Sequence, residues 1–183
     1  MKITNTQVYG IEESVKASGY PMMKDNLSYY RMSRLGKCKP GTGHDCAHKG
    51  IIVQADVTAS QAWWLQFQRY HFADIVSSES KMHKITEMDT EKQCNQWVYG
   101  RTIELVESLV KAYRKDQIKF DELIANVPMG LMLKARITTN YLQLKTIYLQ
   151  RKNHKLEEWT TFCDWILGLP YFKEFTGVQN ADN

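Results

Sequence analysis

A chain of 183 residues with 43% hydrophobic and 24% charged residues is long enough to bury a sizeable core, and five Trp and ten Tyr exclude a disordered chain. The net charge of +4, with Lys and Arg read as mixed with acids along the chain, is too mild to identify a nucleic-acid binder and does not encourage a DNA-associated protein, while small anionic ligands remain open. The opening Met1-Lys2-Ile3-Thr4-Asn5-Thr6 lacks the apolar core of a signal peptide, and no apolar run approaches the roughly 20 residues of a membrane span. A cytoplasmic protein of one domain, residues 1–183, with no membrane association, is therefore expected.

Residues 1–12 alternate loosely through Ile3, Val8, Tyr9 and Ile11 and predict a strand, followed by a short helix near Glu12–Ser18. From Gly19 to Gly50 the composition turns to Gly, Pro, Lys, Ser and Asn and predicts a surface connection. Its Gly36-to-Gly43 stretch lacks the Gly-Lys-Ser/Thr that opens a phosphate-loop helix. Four cysteines, Cys38, Cys46, Cys94 and Cys163, are scattered and read as reduced thiols. Cys38, His44, Cys46 and His48 are metal-ligand types without the pairings of a zinc site, so a plain loop is expected there.

Gly50–Val57 is β-branched and predicts a strand, after which Thr58 or Ser60 offers an N-cap. Ala59–Tyr70 then predicts a helix with Ala62, Leu65, Gln66 and Arg69 on one side. Spacing alone favours tryptophans 63 and 64 facing the core, with Gln66 and Arg69 solvated. Glu87–Gln93 reads as a polar connection, Cys94–Arg114 as a long helix, and Phe120–Ile124 as a short one. Val127-Pro128-Met129-Gly130 is a turn signal. Leu131–Gln150 reads as a second long helix through Leu133, Ile137, Tyr141, Leu144, Ile147 and Tyr148. Glu157–Leu167 predicts a last amphipathic helix, closed by Gly168-Leu169-Pro170, with a polar, frayed tail over 176–183.

Two clusters carry chemistry. Gln66, Arg69, His71, Ser77, Ser78, Glu79, Ser80, Lys81 and His83 supply donors for a phosphate and a titratable imidazole. Asn140, Arg151, Asn153 and His154 lie near the ends of one predicted helix. Neither is a nucleophilic triad or a dinucleotide fingerprint, so the residues by themselves point to an anion site.

Several local matches over residues 40–160 resemble the flavin-dependent thymidylate synthases, whose signature is Arg-His-Arg, seven residues, Ser, one residue and Arg-Tyr, with a Gln three positions ahead. Gln66 and Arg69 keep the Gln-x-x-Arg spacing, a register in which Ser80 comes one residue late; with His71 matched instead to the central His, Ser80 falls on the serine and Tyr70 and Phe72 replace both flanking arginines. Thr42-Gly43-His44-Asp45-Cys46-Ala47-His48 is similar to the family's Gly-His-x-Thr with a later Glu-His, and Val127–Gly130 to its Leu-Pro-Leu-Gly. Asn140, Arg151 and His154 keep the spacing of its last site helix. Met82-His83, Leu142 and Ile124 stand where the family has Arg-Tyr and two further arginines. Ser80–Ile85 and Arg151–Trp159 also resemble runs in phage-borne relatives.

The resemblance implies an α+β fold, a small mixed or antiparallel sheet packed with long helices, in a homotetramer that binds FAD between subunits. It implies a pyrimidine nucleotide such as dUMP at Gln66, Arg69, Glu79, Ser80, Lys81 and Arg151, and flavin at His48, His71, Asn140 and His154. NADPH and methylenetetrahydrofolate would be the reductant and one-carbon donor, and no protein nucleophile is required. A descendant that binds a nucleotide or a protein partner without flavin is the alternative that the missing arginines suggest.

Overall fold

Four strands, β1 (Lys2–Tyr9), β2 (Ile52–Ser60), β3 (Asp74–Ser78) and β4 (Met132–Asn140), pair antiparallel in the order β1-β2-β4-β3. The computed structural model describes residues 1–39 and 41–178. Between and after the strands run α1 (Ile11–Ala17), α2 (Tyr29–Gly36), α3 (Gln61–Phe67), α4 (Lys81–Lys84), α5 (Thr90–Gln93), α6 (Gly100–Tyr113), α7 (Phe120–Ala125), α8 (Tyr141–Arg151), α9 (Glu157–Leu167) and α10 (Phe172–Thr176). The fold is the α+β class expected, with an all-antiparallel sheet. No helix among the described residues is long and apolar enough to cross a membrane.

The two central strands are built alike. Each runs directly into a helix whose N-cap is the strand's last residue: the Ser60 hydroxyl accepts from Trp63 N (3.3 Å), and Asn140 Oδ1 accepts from Gln143 N (2.9 Å). These caps start α3 and α8 from opposite ends of the antiparallel β2–β4 pair. The predicted helix over Leu131–Gln150 is therefore two elements, a strand to Asn140 and a helix from Tyr141. Leu133, Ile137 and Tyr141 are four apart, a spacing that puts residues on one face of a helix and of a strand alike. The intervening Ala135 and Thr139 also face the core, so the true period here is two.

One sheet face packs Val53, Ala55, Val57, Ala59, Ala135 and Ile137 into the main core with α3, α8, α9 and α10. The other face is polar. There Arg136 donates to Asp56 (3.1 Å), Gln54 (3.3 Å), Gln7 (2.6 Å) and the Asn5 carbonyl (3.0 Å). A hydrogen bond from Asn5, then Arg136, holds the Asp56 carboxyl below the usual carboxylate range.

The region from Gly19 to Gly50, expected to be a surface connection, contains α2 and a 3-10 turn at Cys46–Gly50. Both are fastened by a buried polar hub. Lys145 of α8 donates to Asp45 Oδ2 (2.9 Å) and to the Gly36 carbonyl (2.7 Å), and His48 sits between the Asp45 and Phe175 carbonyls (2.9 and 3.1 Å). A Cβ on Gly36 would collide with the Phe175 carbonyl, so the closing helix α10 can lie against α2 only because residue 36 is glycine. The tail expected to fray at 176 is instead anchored through 178: Phe172, Phe175, Thr176 and Val178 are buried. Residues 179–183, the rest of that expected tail, lie outside the described residues.

A second, smaller core of Ile85, Val106, Val110 and Leu123 is formed by α4, α6, α7 and their connections. The helix predicted from Cys94 begins only at Gly100, because Cys94 bridges to Leu131 and Asn95 N donates to the Gly130 carbonyl (3.0 Å).

Two stability predictions follow from burial. Trp63→Ala should lower unfolding free energy by about 3–5 kcal/mol in urea denaturation. Asp45→Ala, which strands the buried Lys145 ammonium, should cost about 3–5 kcal/mol, and a loss below about 1 kcal/mol would show that the pair is not holding the hub.

Candidate functional site

The last turn of α3, the last turn of α8 and the first half of α9 converge on one guanidinium. Arg151 Nε donates to the Tyr70 hydroxyl (2.6 Å), Nη1 donates to Gln66 Oε1 (3.2 Å), and the Trp159 ring lies 4.8 Å from its central carbon. The Tyr70 ring is 5.5 Å away. Gln66 Oε1 also accepts from Trp159 Nε1 (2.9 Å), so one amide oxygen ties the arginine and the indole together. All of these acceptors are neutral. Arg151 thus keeps its positive charge, half-buried, with its remaining N–H groups available to an acceptor.

The convergence depends on the core beneath it. Trp63 and Trp64 are buried, as the helix spacing predicted, and Trp63 lies 4.8–5.1 Å, ring centre to ring centre, from Trp64, Phe67, Trp159 and Phe162. Glu158, next to Trp159, accepts from Ser60 N (2.8 Å) and from the Ser60 hydroxyl, which fixes the start of α9 on the start of α3.

His154 stands at the edge of this cluster. Its Nδ1 accepts from Leu156 N (3.1 Å) and its ring is 6.2 Å from Trp159. Partial burial, then the charges of Arg151 and Lys155, lower its pKa below the ordinary histidine value. Its neutral form is thus favoured beside the Arg151 cation.

The structure brings Gln66, Arg151 and His154 together and places the other predicted site residues elsewhere. Arg69 and His71 are exposed in the turn after α3. Glu79, Ser80 and Lys81 form a separate group where β3 meets α4. Glu79 accepts from Lys134 N (2.8 Å), Ser80 Oγ lies 2.9 Å from His83 Nδ1, and Lys81 donates to Gln61 at the other end of α3 (2.6 Å). A cleft of about 310 Å³ opens beside them, lined by Glu79, Ser80, Lys84, Glu87, Met88 and Gln93. Asn140 spends its carbonyl oxygen on capping α8. His48 is sealed inside, with a carbonyl against each ring nitrogen. Among the described residues, no group of three or more His, Cys, Asp or Glu could hold a metal ion.

Sequence reasoning passed over Tyr70 and Trp159, the walls around Arg151. The available signal was Tyr70 at i+4 from Gln66, which places both on one helix face. Nothing local marks Trp159, because it meets Gln66 only through tertiary packing.

No protein-family model matches the chain, and no curated protein matches it. Its fold is shared with solved structures, two of which are of a thymidylate synthase. Thymidylate synthase X from Helicobacter pylori, crystallised with FAD and dUMP, is 14% identical and superposes with a TM-score of 0.76 over 96% of each chain. A second structure, of the flavin-dependent thymidylate synthase ThyX from the same organism complexed with FAD and dUMP, is 13% identical, with a TM-score of 0.75 over 96% of this chain and 97% of that one. At these identities the likeness is one of fold.

A titration follows from the geometry of His154. Its ring protons should titrate by NMR with a midpoint below 6.5, and Arg151→Gln should move that midpoint upward by removing the neighbouring charge. A midpoint unmoved by the substitution would show that Arg151 does not act on the ring.

Proposed function

We propose that this chain is a flavin-linked, thymidylate-synthase-like protein that binds a pyrimidine deoxynucleotide, with methyl or one-carbon transfer to dUMP or a related nucleotide as its reaction. The observation that carries the reading is the meeting of Gln66 and Arg151 across 85 residues of sequence, inside a fold shared end to end with an enzyme crystallised with FAD and dUMP. Arg151 offers a fixed cation to the anionic or carbonyl oxygens of the nucleotide, and Gln66 sets the plane of its guanidinium. Arg69, Ser80 and Lys81, with Glu79 holding β3 on β4, supply further polar contacts. Lys81, Lys84 and Arg69 offset in part the family arginines that this chain lacks.

FAD, when bound, supplies the redox chemistry, and no nucleophilic side chain is needed. His71, Asn140 and His154 are each at least partly exposed, which fits a flavin contact; His48, fully enclosed, does not. Residues 66 and 151 lie apart from the group 79–81 within one chain, and a homotetramer in which neighbouring copies complete each site would reunite them. NADPH and methylenetetrahydrofolate are the co-reactants this reading implies.

A second reading, a descendant without flavin that binds a nucleotide or a protein partner, is favoured by the state of Arg151. Two of its three nitrogens already donate to Tyr70 and Gln66.

Purified protein incubated with FAD and passed through gel filtration separates the two readings. Flavin absorbance that travels with the protein is the expected result, and its absence at saturating FAD would overturn the flavin-linked reading. In calorimetry, Arg151→Ala should weaken dUMP binding by about tenfold or more, roughly 1.4 kcal/mol. Unchanged affinity would remove Arg151 from the nucleotide site.

A further inference from the structure

The net charge of this chain is local. Residues 24–39 hold Lys24, Arg31, Arg34, Lys37 and Lys39 against the single acid Asp25, and the rest of the chain balances at nineteen basic and nineteen acidic residues. The whole +4 therefore belongs to one segment, contrary to the even mixing expected from the sequence.

That segment lines a groove of about 490 Å³ between α2 and the chain before it. Lys24, Arg31 and Arg34 supply its charge, Tyr30 and Met22 its apolar wall, and among the described residues no carboxylate lines it. Arg31 is locked: Nε donates to the Ser18 hydroxyl (2.9 Å), Nη1 to Asn26 Oδ1 (3.1 Å), and Nη2 to the carbonyls of Asn26 (2.7 Å) and Val15 (3.1 Å). Every acceptor is neutral, so the bonds orient the guanidinium without cancelling its charge. Gly19 makes room for it, since a Cβ there would lie 2.8 Å from Nη2. Arg34 lies 5.8 Å from the centre of the Tyr30 ring.

We propose that this groove is a binding site for an organic phosphate of nucleotide size, separate from the site at Arg151. Three cations without a counter-ion suit a ligand carrying at least two negative charges, which a monocarboxylate lacks and a phosphate ester supplies. The volume falls in the range of small-molecule sites, and Tyr30 and Met22 offer a surface for the rest of the ligand. A polynucleotide fits less well, because the neutral remainder of the chain gives a long polyanion nothing to follow. Arg31 is fixed before the ligand arrives, so little ordering cost remains on binding.

The test uses ADP as the probe and the full chain. Lys24→Ala/Arg34→Ala removes two exposed side chains and leaves Arg31 to its structural bonds. ADP affinity by calorimetry should fall about tenfold or more in this variant and stay unchanged in Arg151→Ala. ADP should also slow alkylation of Cys38, which lines the groove, without slowing that of the exposed Cys46. Retention of FAD by the double variant should equal that of the parent chain, which separates this site from the flavin reading. The proposal is overturned by absent ADP binding, by affinity insensitive to the double substitution, by equal protection of both cysteines, by FAD retention lost with ADP binding, or by tighter binding of a short single-stranded DNA than of ADP.

Discussion

The stacking of Trp63 against Trp159 and its neighbours is the constraint on which the rest of the molecule depends. Trp63 is fully buried, and its ring meets Phe67 nearly parallel (20°) and Trp159 at a tilt (42°). That contact fixes α9 against α3, and α3 and α9 carry Gln66 and Trp159, which hold Arg151 together with Tyr70. The buried Trp63 N–H has no hydrogen-bond partner among the described residues, which costs on the order of 1–3 kcal/mol. Several aromatic contacts, each contributing about 0.5–1.5 kcal/mol beyond the area they bury, outweigh that cost. Shape therefore wins over polar satisfaction at the centre of the core.

Around this core the chain closes on itself through charge. Lys145 and Asp45 are both buried, and such a pair is weak grounds for stability in itself, because desolvation consumes most of the attraction. Its effect is specificity: the ammonium also reaches the Gly36 carbonyl, so one side chain of α8 sets α2 and the Cys46–Gly50 turn in a single arrangement. His48 extends the hub to the Phe175 carbonyl and α10. Burial lowers the His48 pKa below the ordinary value, so protonation at falling pH opposes this arrangement, and the hub is most stable above the unfolded histidine pKa near 6.5.

Most helix positions were legible because their signals are local. Glu157–Leu167 came out as an amphipathic helix from its periodicity, and Ser60 was among the caps foreseen. The misreading of Leu131–Gln150 has a plain cause: a period of four cannot separate a helix from a strand when the residues between are small or weakly polar. Ala135 and Thr139 hid the alternation of β4 in this way. Strand β3 was missed because it is a short edge with Ile75 its one partly buried hydrophobic, Val76 being bulged outward and exposed. The start of the tail, 176–178, was misread because α10 lies against α2 where Gly36 meets the Phe175 carbonyl, a contact of residues far apart in sequence. At the candidate site Gln66, Arg151 and His154 were visible as residue types, whereas their meeting, and the roles of Tyr70 and Trp159, exist only in three dimensions.

The arginines sort by the charge of what holds them. Arg136 is, among the described residues, the one paired with a carboxylate, and it serves the sheet: its charge is cancelled by Asp56 where β1, β2 and β4 meet. Arg31 and Arg151 are held by hydroxyls, amide oxygens and carbonyls alone. A neutral acceptor fixes direction and leaves the charge intact, so the field of each guanidinium extends to whatever approaches its free N–H groups. An arginine meant only to brace a fold gains more from a carboxylate, which satisfies its donors and its charge together. Arg31 and Arg151, each oriented by several neutral acceptors, keep an uncancelled charge, and they stand on different elements of this fold, one at the end of α8 and one within α2.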